Sequence, residues 1–199
     1  KTGTSGRTWV LDPIDGTIAY AAGIPLYSTL IGLLEDGQPV VGVIDLPELD
    51  QRLVGWHQGG GWANDKPIER SQCTAVAEAF LAVGDREAFV LSKQEAALDR
   101  ALMAARRVRS YTDAFGHSLV LRGAMDAMID PHLSPWDLVA TRAIASEVGL
   151  AAALVPTVEN TTLLLGAPEL VDELEAWPEL APMSPDGSSE QGPGAKTDR

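Results

Sequence analysis

A short apolar segment near the start of the chain ends in two closely spaced carboxylates. Residues 8–11 are β-branched, aromatic or aliphatic, which predicts a buried strand. Asp12 and Asp15 follow it, separated by Pro13 and Ile14. Ligand sites in α/β proteins concentrate at strand ends, and Mg²⁺ prefers carboxylate and carbonyl oxygens. The segment therefore predicts either a cation site that also uses the Ile14 carbonyl or an acidic turn begun by Asp-Pro.

Turn signals divide the first third of the chain into short apolar runs. Asp36-Gly37 lies between the runs at 30–34 and 39–44, a pattern typical of a hairpin because glycine accepts a positive φ. Further runs at 52–56 and 62–68 flank three consecutive glycines. These patterns predict a meander of antiparallel strands.

Beyond residue 80, predicted strands alternate with predicted helices. Residues 81–85 form an expected strand, and 86–106 have the composition and spacing of one helix. A second helix is expected over 114–122, with Asp113 as its N-cap. This order predicts a layered α/β protein with a mixed sheet.

A third carboxylate occurs in Ser134-Pro135-Trp136-Asp137, which opens a predicted helix to 148. Serine at the N-cap, proline at the first helical position and Asp137 three residues after the cap are typical of a capping box. A carboxylate at a helix start can also reach a metal ion, and the two roles are compatible.

The histidines do not have the spacing of a zinc site. His57, His117 and His132 are far apart in sequence and have no close His or Cys partner. His117, one turn into the helix after Asp113, is the histidine that we expect to contact a substrate. The chain has no Gly-x-x-x-x-Gly-Lys phosphate loop and no Gly-x-Ser-x-Gly nucleophile segment.

The charge of the chain restricts its partners. Acidic residues outnumber basic ones 28 to 15, giving a net charge of −13. Such a surface repels nucleic acids and anionic membranes, so we expect neither as a partner, and a cation must mediate the binding of any anionic substrate. Cys73 is the only cysteine, which excludes an intramolecular disulfide and favours a cytoplasmic setting.

The segment Trp9-Val10-Leu11-Asp12-Pro13-Ile14-Asp15-Gly16-Thr17, followed far downstream by Trp136-Asp137, resembles the inositol monophosphatase superfamily of metal-dependent phosphatases. The resemblance extends from about Thr8 to Gly149. The stretch Asp113-Ala114-Phe115-Gly116-His117 and the pair Asp130-Pro131 are most similar to the histidinol-phosphatase branch.

The resemblance implies a fold and a set of roles. The fold would be a layered αβαβα sandwich without its N-terminal helices, with a partial phosphatase domain over 1–181, and family members are often homodimers. The non-periodic residues 182–199 predict a disordered tail. The implied Mg²⁺ ligands are Asp12, Ile14, Asp15 and Asp137. The implied catalytic residues are Asp15 and Thr17, with Thr17 orienting the attacking water, and the implied substrate contacts are Gly16, Thr17, Asp113, His117 and Asp130.

These roles imply a Mg²⁺-dependent phosphomonoesterase acting on a small phosphorylated metabolite, with L-histidinol phosphate as the first candidate. An inositol or sugar phosphatase is the alternative within the same class. A non-catalytic remnant is the alternative from another class, because the resemblance implies a metal-binding glutamate in a Gly-Glu-Glu segment upstream of Thr8. The chain as given does not contain that segment, so we expect it to be N-terminally truncated.

Overall fold

The first part of the chain forms a six-stranded antiparallel sheet. The computed structural model describes residues 5–157 and 160–182. The strands pair in sequence order, which confirms the predicted meander. They are β1 (Arg7–Asp15), β2 (Ser28–Glu35), β3 (Gln38–Leu46), β4 (Gln51–Trp56), β5 (Gly60–Ala63) and β6 (Lys66–Pro67), with the short helix α1 (Thr17–Ala21) between β1 and β2. The prediction that the strand over 8–11 is buried is wrong, because β1 is an edge strand whose Trp9 and Leu11 side chains are exposed.

The second part forms a separate five-stranded sheet. Its strands are β7 (Phe80–Val83), β8 (Arg107–Ser110), β9 (Ala127–Leu133), β10 (Ala151–Pro156) and β11 (Thr161–Gly166), in the order β10-β11-β9-β7-β8. β7 is parallel to β8 and β9, whereas β11 is antiparallel to both its neighbours. The mixed sheet that the sequence predicted is therefore the second of two sheets, because the chain leaves the first sheet after β6.

The prediction of one continuous helix over 86–106 is wrong. The structure has two helices there, α2 (Arg86–Leu91) and α3 (Glu95–Ala104). Lys93 has a φ of 56°, and the buried Gln94 accepts a 2.7 Å hydrogen bond from the hydroxyl of Thr162. A contact with a residue far along the chain therefore interrupts a segment of continuous helical propensity.

The remaining helices complete a layered sandwich. They are α4 (Asp113–Leu121), α5 (Pro135–Glu147) and α6 (Pro168–Glu175). One core lies between the two sheets and includes α4 and α5, and another lies between the five-stranded sheet and α2, α3 and α6. The order of layers is thus sheet, helices, sheet, helices. Among the described residues, no helix is both long enough and apolar enough to cross a membrane.

A row of glycines lets α5 lie directly on the first sheet. Four glycines on β2 to β5 are paired across the strands: Gly32, Gly42, Gly55 and Gly61. A Cβ at Gly42 would overlap the carbonyl oxygen of Ala140, and one at Gly55 would lie 2.8 Å from the Cα of Ile144. This close approach fixes the position of α5, whose first turn carries Asp137.

The predicted boundary at residue 181 and the predicted tail over 182–199 stay predictions. Residues 183–199 lie outside the described residues.

Candidate functional site

A β-bulge brings the first two carboxylates together. Asp12 pairs with Leu30 and Asp15 pairs with Ser28, so β1 has one more residue than β2 over this stretch. Residues three apart on a regular strand point to opposite faces. The extra residue reverses that relation and directs both side chains to the same side. Pro13 lies within the bulge on an edge strand, where its missing N–H is tolerated.

Asp137 joins this pair from the first turn of α5. One ligand atom from each of Asp12, Asp15 and Asp137 lies within 4.8 Å of the other two. The Ser134 N–H donates a 2.8 Å hydrogen bond to Oδ2 of Asp137, as part of the predicted capping box. Capping therefore orients a carboxylate that also belongs to the acidic cluster.

Hydrogen bonds hold each carboxylate by a single oxygen. Oδ2 of Asp15 accepts from the Ser28 hydroxyl at 2.8 Å and from the Ala114 N–H at 2.9 Å. Oδ1 of Asp12 accepts from the Ile14 N–H at 3.1 Å. Within the described part of the chain, the hydrogen bonds of these three aspartates leave the other oxygen of each free. That oxygen can bind a cation without the loss of a hydrogen bond.

The electrostatics of the cluster favour a bound cation. Burial, followed by the negative charge of Asp113, raises the pKa of Asp15 to about 6. Burial is also the main cause that raises the pKa of Asp137 to about 7, and the charges of Asp15 and Asp12 add to the rise. Ionising both Asp15 and Asp137 is therefore costly without a counter-charge. An all-oxygen donor set of this kind fits a hard divalent cation.

A cavity of about 350 Å³ adjoins the cluster and is acidic. The carboxylates that line it are those of Asp15, Asp85, Glu87, Asp113, Asp130 and Asp137. A neighbouring cavity of about 270 Å³ shares some of these residues and includes Thr17 and Ile18. β7, β8 and β9 are parallel, so Asp85 and Asp113, which follow β7 and β8, lie at the same edge of the sheet as Asp130, which follows the part of β9 that pairs with β7.

The predicted phosphate-binding residues lie at the start of α1. Gly16 is buried, has a φ of 76° and is the N-cap of this five-residue helix, and Thr17 is exposed beside the cavity. Ile14 lies between the two aspartates of β1 and is half-buried. The roles assigned to these three residues stay predictions.

Asp113 and Asp130 line the cavity, as expected for substrate contacts, and these roles also stay predictions. The expectation that Asp113 is the N-cap of α4 is wrong. Thr112 is the N-cap, and Asp113 is the first helical residue with a φ of 58°. The Thr112 hydroxyl donates a 2.6 Å hydrogen bond to the Asp113 carboxylate, which holds that side chain at the helix start.

The structure buries His117, from which we expected a substrate contact, and that role stays a prediction. Its side chain is 1% exposed, and both ring nitrogens have partners within the protein. Burial would lower the pKa of His117, but the hydrogen bond and charge of Asp130 outweigh burial and raise it. His117 therefore lies behind the cavity wall formed by Asp130.

Three residues near the acidic cluster were not predicted from the sequence as site residues. Asp85 and Glu87 line the cavity, and the buried hydroxyl of Ser28 holds Asp15. Asp85 is the last residue of the strand predicted over 81–85, and a carboxylate at a strand end is the same signal that identified Asp12. Ser28 carries no such signal, because its role depends on the pairing of β1 with β2.

Comparison with known proteins assigns the chain to a family. The model of the inositol monophosphatase family matches residues 1–174, and the chain belongs to that family. It is 31% identical over 145 residues to a histidinol-phosphatase from Chlorobaculum parvum, covering 73% of this chain and 56% of the relative. It is 34% identical over 154 residues to one from Mycobacterium tuberculosis, covering 75% of this chain and 59% of the relative. The chain thus spans little more than half the length of these relatives.

A solved structure confirms the predicted fold. The inositol monophosphatase from an Anabaena (Nostoc) species superposes with a TM-score of 0.77 at 26% sequence identity. The match covers 86% of this chain and 71% of that structure. The described part therefore has the layered architecture that the resemblance implied.

Proposed function

We propose that the protein is a Mg²⁺-dependent phosphomonoesterase whose substrate is L-histidinol phosphate. The observation that carries the proposal is the convergence of Asp12, Asp15 and Asp137 beside an acidic cavity, each with one uncommitted oxygen. Membership of the inositol monophosphatase family supports the reaction class.

The residues present fit a divalent cation, and we assign them the following roles. Asp12, Asp15, Asp137 and the Ile14 carbonyl hold the ion, while Ser28 and the Ala114 N–H keep Asp15 oriented. A bound divalent cation supplies charge neutralisation for the phosphate and a lowered pKa for water.

The residues around Thr17 act on the phosphate and the water. The Thr17 hydroxyl, together with Asp15, orients the attacking water for in-line displacement. Backbone N–H groups at Gly16 and Thr17 face the phosphate. No covalent phosphoenzyme is required, in agreement with the missing nucleophile segments.

The negative charge of the cavity supports a substrate whose alcohol part carries a positive charge. Besides the proposed metal ligands, it is lined by Asp85, Glu87, Asp113 and Asp130. Histidinol carries an ammonium group, which opposite charges attract, whereas inositol and most sugars are neutral. The relatives from Chlorobaculum parvum and Mycobacterium tuberculosis are named histidinol-phosphatases, which supports the same choice.

Two alternatives make different predictions. An inositol or sugar phosphatase draws support from the family and from the Anabaena neighbour, and it would prefer a neutral alcohol phosphate. A non-catalytic protein would release no phosphate, and its gene would encode no Gly-Glu-Glu segment upstream of Thr8. A homodimer and a cytoplasmic location remain predictions from the resemblance and from the single cysteine.

A substrate panel tests the proposal. Phosphate release by the full-length protein is measured with histidinol phosphate, inositol 1-phosphate and 3′-phosphoadenosine 5′-phosphate, each with Mg²⁺ and with EDTA. We expect release only with Mg²⁺ and the highest kcat/KM for histidinol phosphate. A preference for inositol phosphate would overturn the substrate, and activity that persists in EDTA would overturn the mechanism.

A further inference from the structure

His117 connects three elements of the fold through its imidazole ring. The residue lies in α4, its Nε2 is 3.0 Å from Oδ2 of Asp130 in β9, and its Nδ1 is 2.8 Å from the hydroxyl of Thr141 in α5. His117, Asp130 and Thr141 are all buried, so water does not compete for these hydrogen bonds.

The chemistry of the partners fixes the direction of one bond. When the Asp130 carboxylate is ionised it only accepts hydrogen bonds, and Nε2 of His117 then carries the proton and donates to it. The Thr141 hydroxyl can donate or accept, and it therefore pairs with Nδ1 whether or not that nitrogen is protonated. Thr141 thus fixes the ring through Nδ1, and the ring fixes Asp130 through Nε2.

Asp130 is confined on its opposite side by Gly84, which follows β7. A Cβ at Gly84 would overlap Oδ1 of Asp130 and would lie 3.0 Å from Cδ of Pro131. The Asp130 carboxylate therefore lies between an imidazole and a bare backbone. It is fixed at the wall of the acidic cavity although it is only 3% exposed.

We propose that His117 is a positioning residue that holds the Asp130 carboxylate for recognition of an ammonium or hydroxyl group on the alcohol part of the substrate. The inference rests on the proposed phosphatase function and adds a specificity device to the same site. His117 itself does not touch the substrate. Removing it moves Asp130, which weakens the binding of the alcohol and leaves the phosphate contacts unchanged.

Two substitutions at the same position separate positioning from packing. Gln extends far enough to donate from the place of Nε2, whereas Asn reaches only the place of Nδ1. In the full-length protein with saturating Mg²⁺, KM and kcat are measured for histidinol phosphate and for p-nitrophenyl phosphate, which lacks the ammonium group. We expect His117→Asn to raise KM for histidinol phosphate about 10-fold or more and KM for p-nitrophenyl phosphate less than about twofold. His117→Gln should retain a KM near that of the wild type.

Gly84→Ala reaches Asp130 from the other side without altering the ring, so it provides a second test if His117→Asn fails to fold. It should reproduce the selective rise in KM for histidinol phosphate. Equal effects of His117→Asn on both substrates, or equal effects of Asn and Gln, would show a merely structural role and overturn the inference.

Binding of histidinol itself makes the test independent of turnover. Calorimetry should show histidinol binding about 10-fold weaker in His117→Asn than in His117→Gln. Suppose that histidinol binding is weakened in this way but the wild type releases no phosphate. That outcome would contradict the proposed function and would still support the positioning role. Unchanged histidinol binding in His117→Asn would overturn the positioning role even if the wild type is an active phosphatase.

Discussion

Gly42 in β3 lies so close to the backbone of Ala140 in α5 that no side chain fits between them. The contact places the helix directly on the sheet, one turn beyond the residue that supplies the third carboxylate. A backbone carbonyl cannot rotate away as a side chain can. This contact therefore limits how closely α5 can approach the sheet.

Gly42→Ala should therefore destabilise the protein. The added methyl group overlaps the Ala140 carbonyl oxygen, and relieving the overlap requires α5 to move. Overpacking of this kind costs about 1–3 kcal/mol in the free energy of unfolding. Urea unfolding monitored by circular dichroism measures the change.

Gly61→Ala is the matched comparison in the same glycine row. Its nearest obstacle is the Cγ1 atom of the Val148 side chain, which can change rotamer. We expect a smaller loss of stability than for Gly42→Ala. A larger loss of stability in Gly61→Ala than in Gly42→Ala would contradict the view that the backbone contact fixes the position of α5.

The raised pKa values predict how stability changes with pH when no cation is bound. Asp15 titrates near pH 6 in the folded protein, against an ordinary value of 3.8, so the folded state binds more protons than the unfolded state between these values. The free energy of unfolding therefore falls as pH rises from about 4 to about 7. Full ionisation of Asp15 costs about 3 kcal/mol.

Urea unfolding in EDTA at pH 5 and pH 8 measures this decrease. Comparison with Asp15→Asn isolates the contribution of this carboxylate, and the variant should show a smaller decrease. Added Mg²⁺ should stabilise the wild type more at pH 8 than at pH 5, because the cation binds the ionised carboxylates. If the wild type gained stability relative to Asp15→Asn between pH 5 and pH 8 in EDTA, the raised pKa of Asp15 would be contradicted.

Ser28→Ala tests whether hydrogen bonding to Asp15 prepares it to bind a cation. The Ser28 hydroxyl orients the Asp15 carboxylate, and the loss of such a supporting group reduces metal affinity about 10–100-fold. Calorimetric titration with Mg²⁺ measures the affinity. Ser146→Ala is the control, since the Ser146 hydroxyl bonds only to the Ala143 carbonyl among its described contacts. Equal Mg²⁺ affinities in the two variants would contradict the role of Ser28.

The sequence predicts those features whose causes are local. The Asp36-Gly37 hairpin and the capped start of α5 are present as predicted, because turn and capping preferences act over a few residues. Three carboxylates identified from the sequence also lie together.

Features that depend on distant residues could not be predicted in this way. The bulge at Asp12–Asp15 exists through pairing with β2, and the break before α3 through the contact of Gln94 with Thr162. His117 has the sequence position of a pocket residue, yet the packing of α4 against α5 and β9 buries it. Local patterns thus identified the acidic residues but not the layer in which each side chain lies.

The most direct test of the central claim is phosphate release from histidinol phosphate by the Asp12→Asn variant of the full-length protein. Asp36→Asn is the control, because it removes one charge from an exposed turn with a φ of 49° that asparagine tolerates. We expect Mg²⁺-dependent release by the wild type and by Asp36→Asn, and a decrease of about 100-fold or more in Asp12→Asn. Release by Asp12→Asn at the wild-type rate would contradict the account.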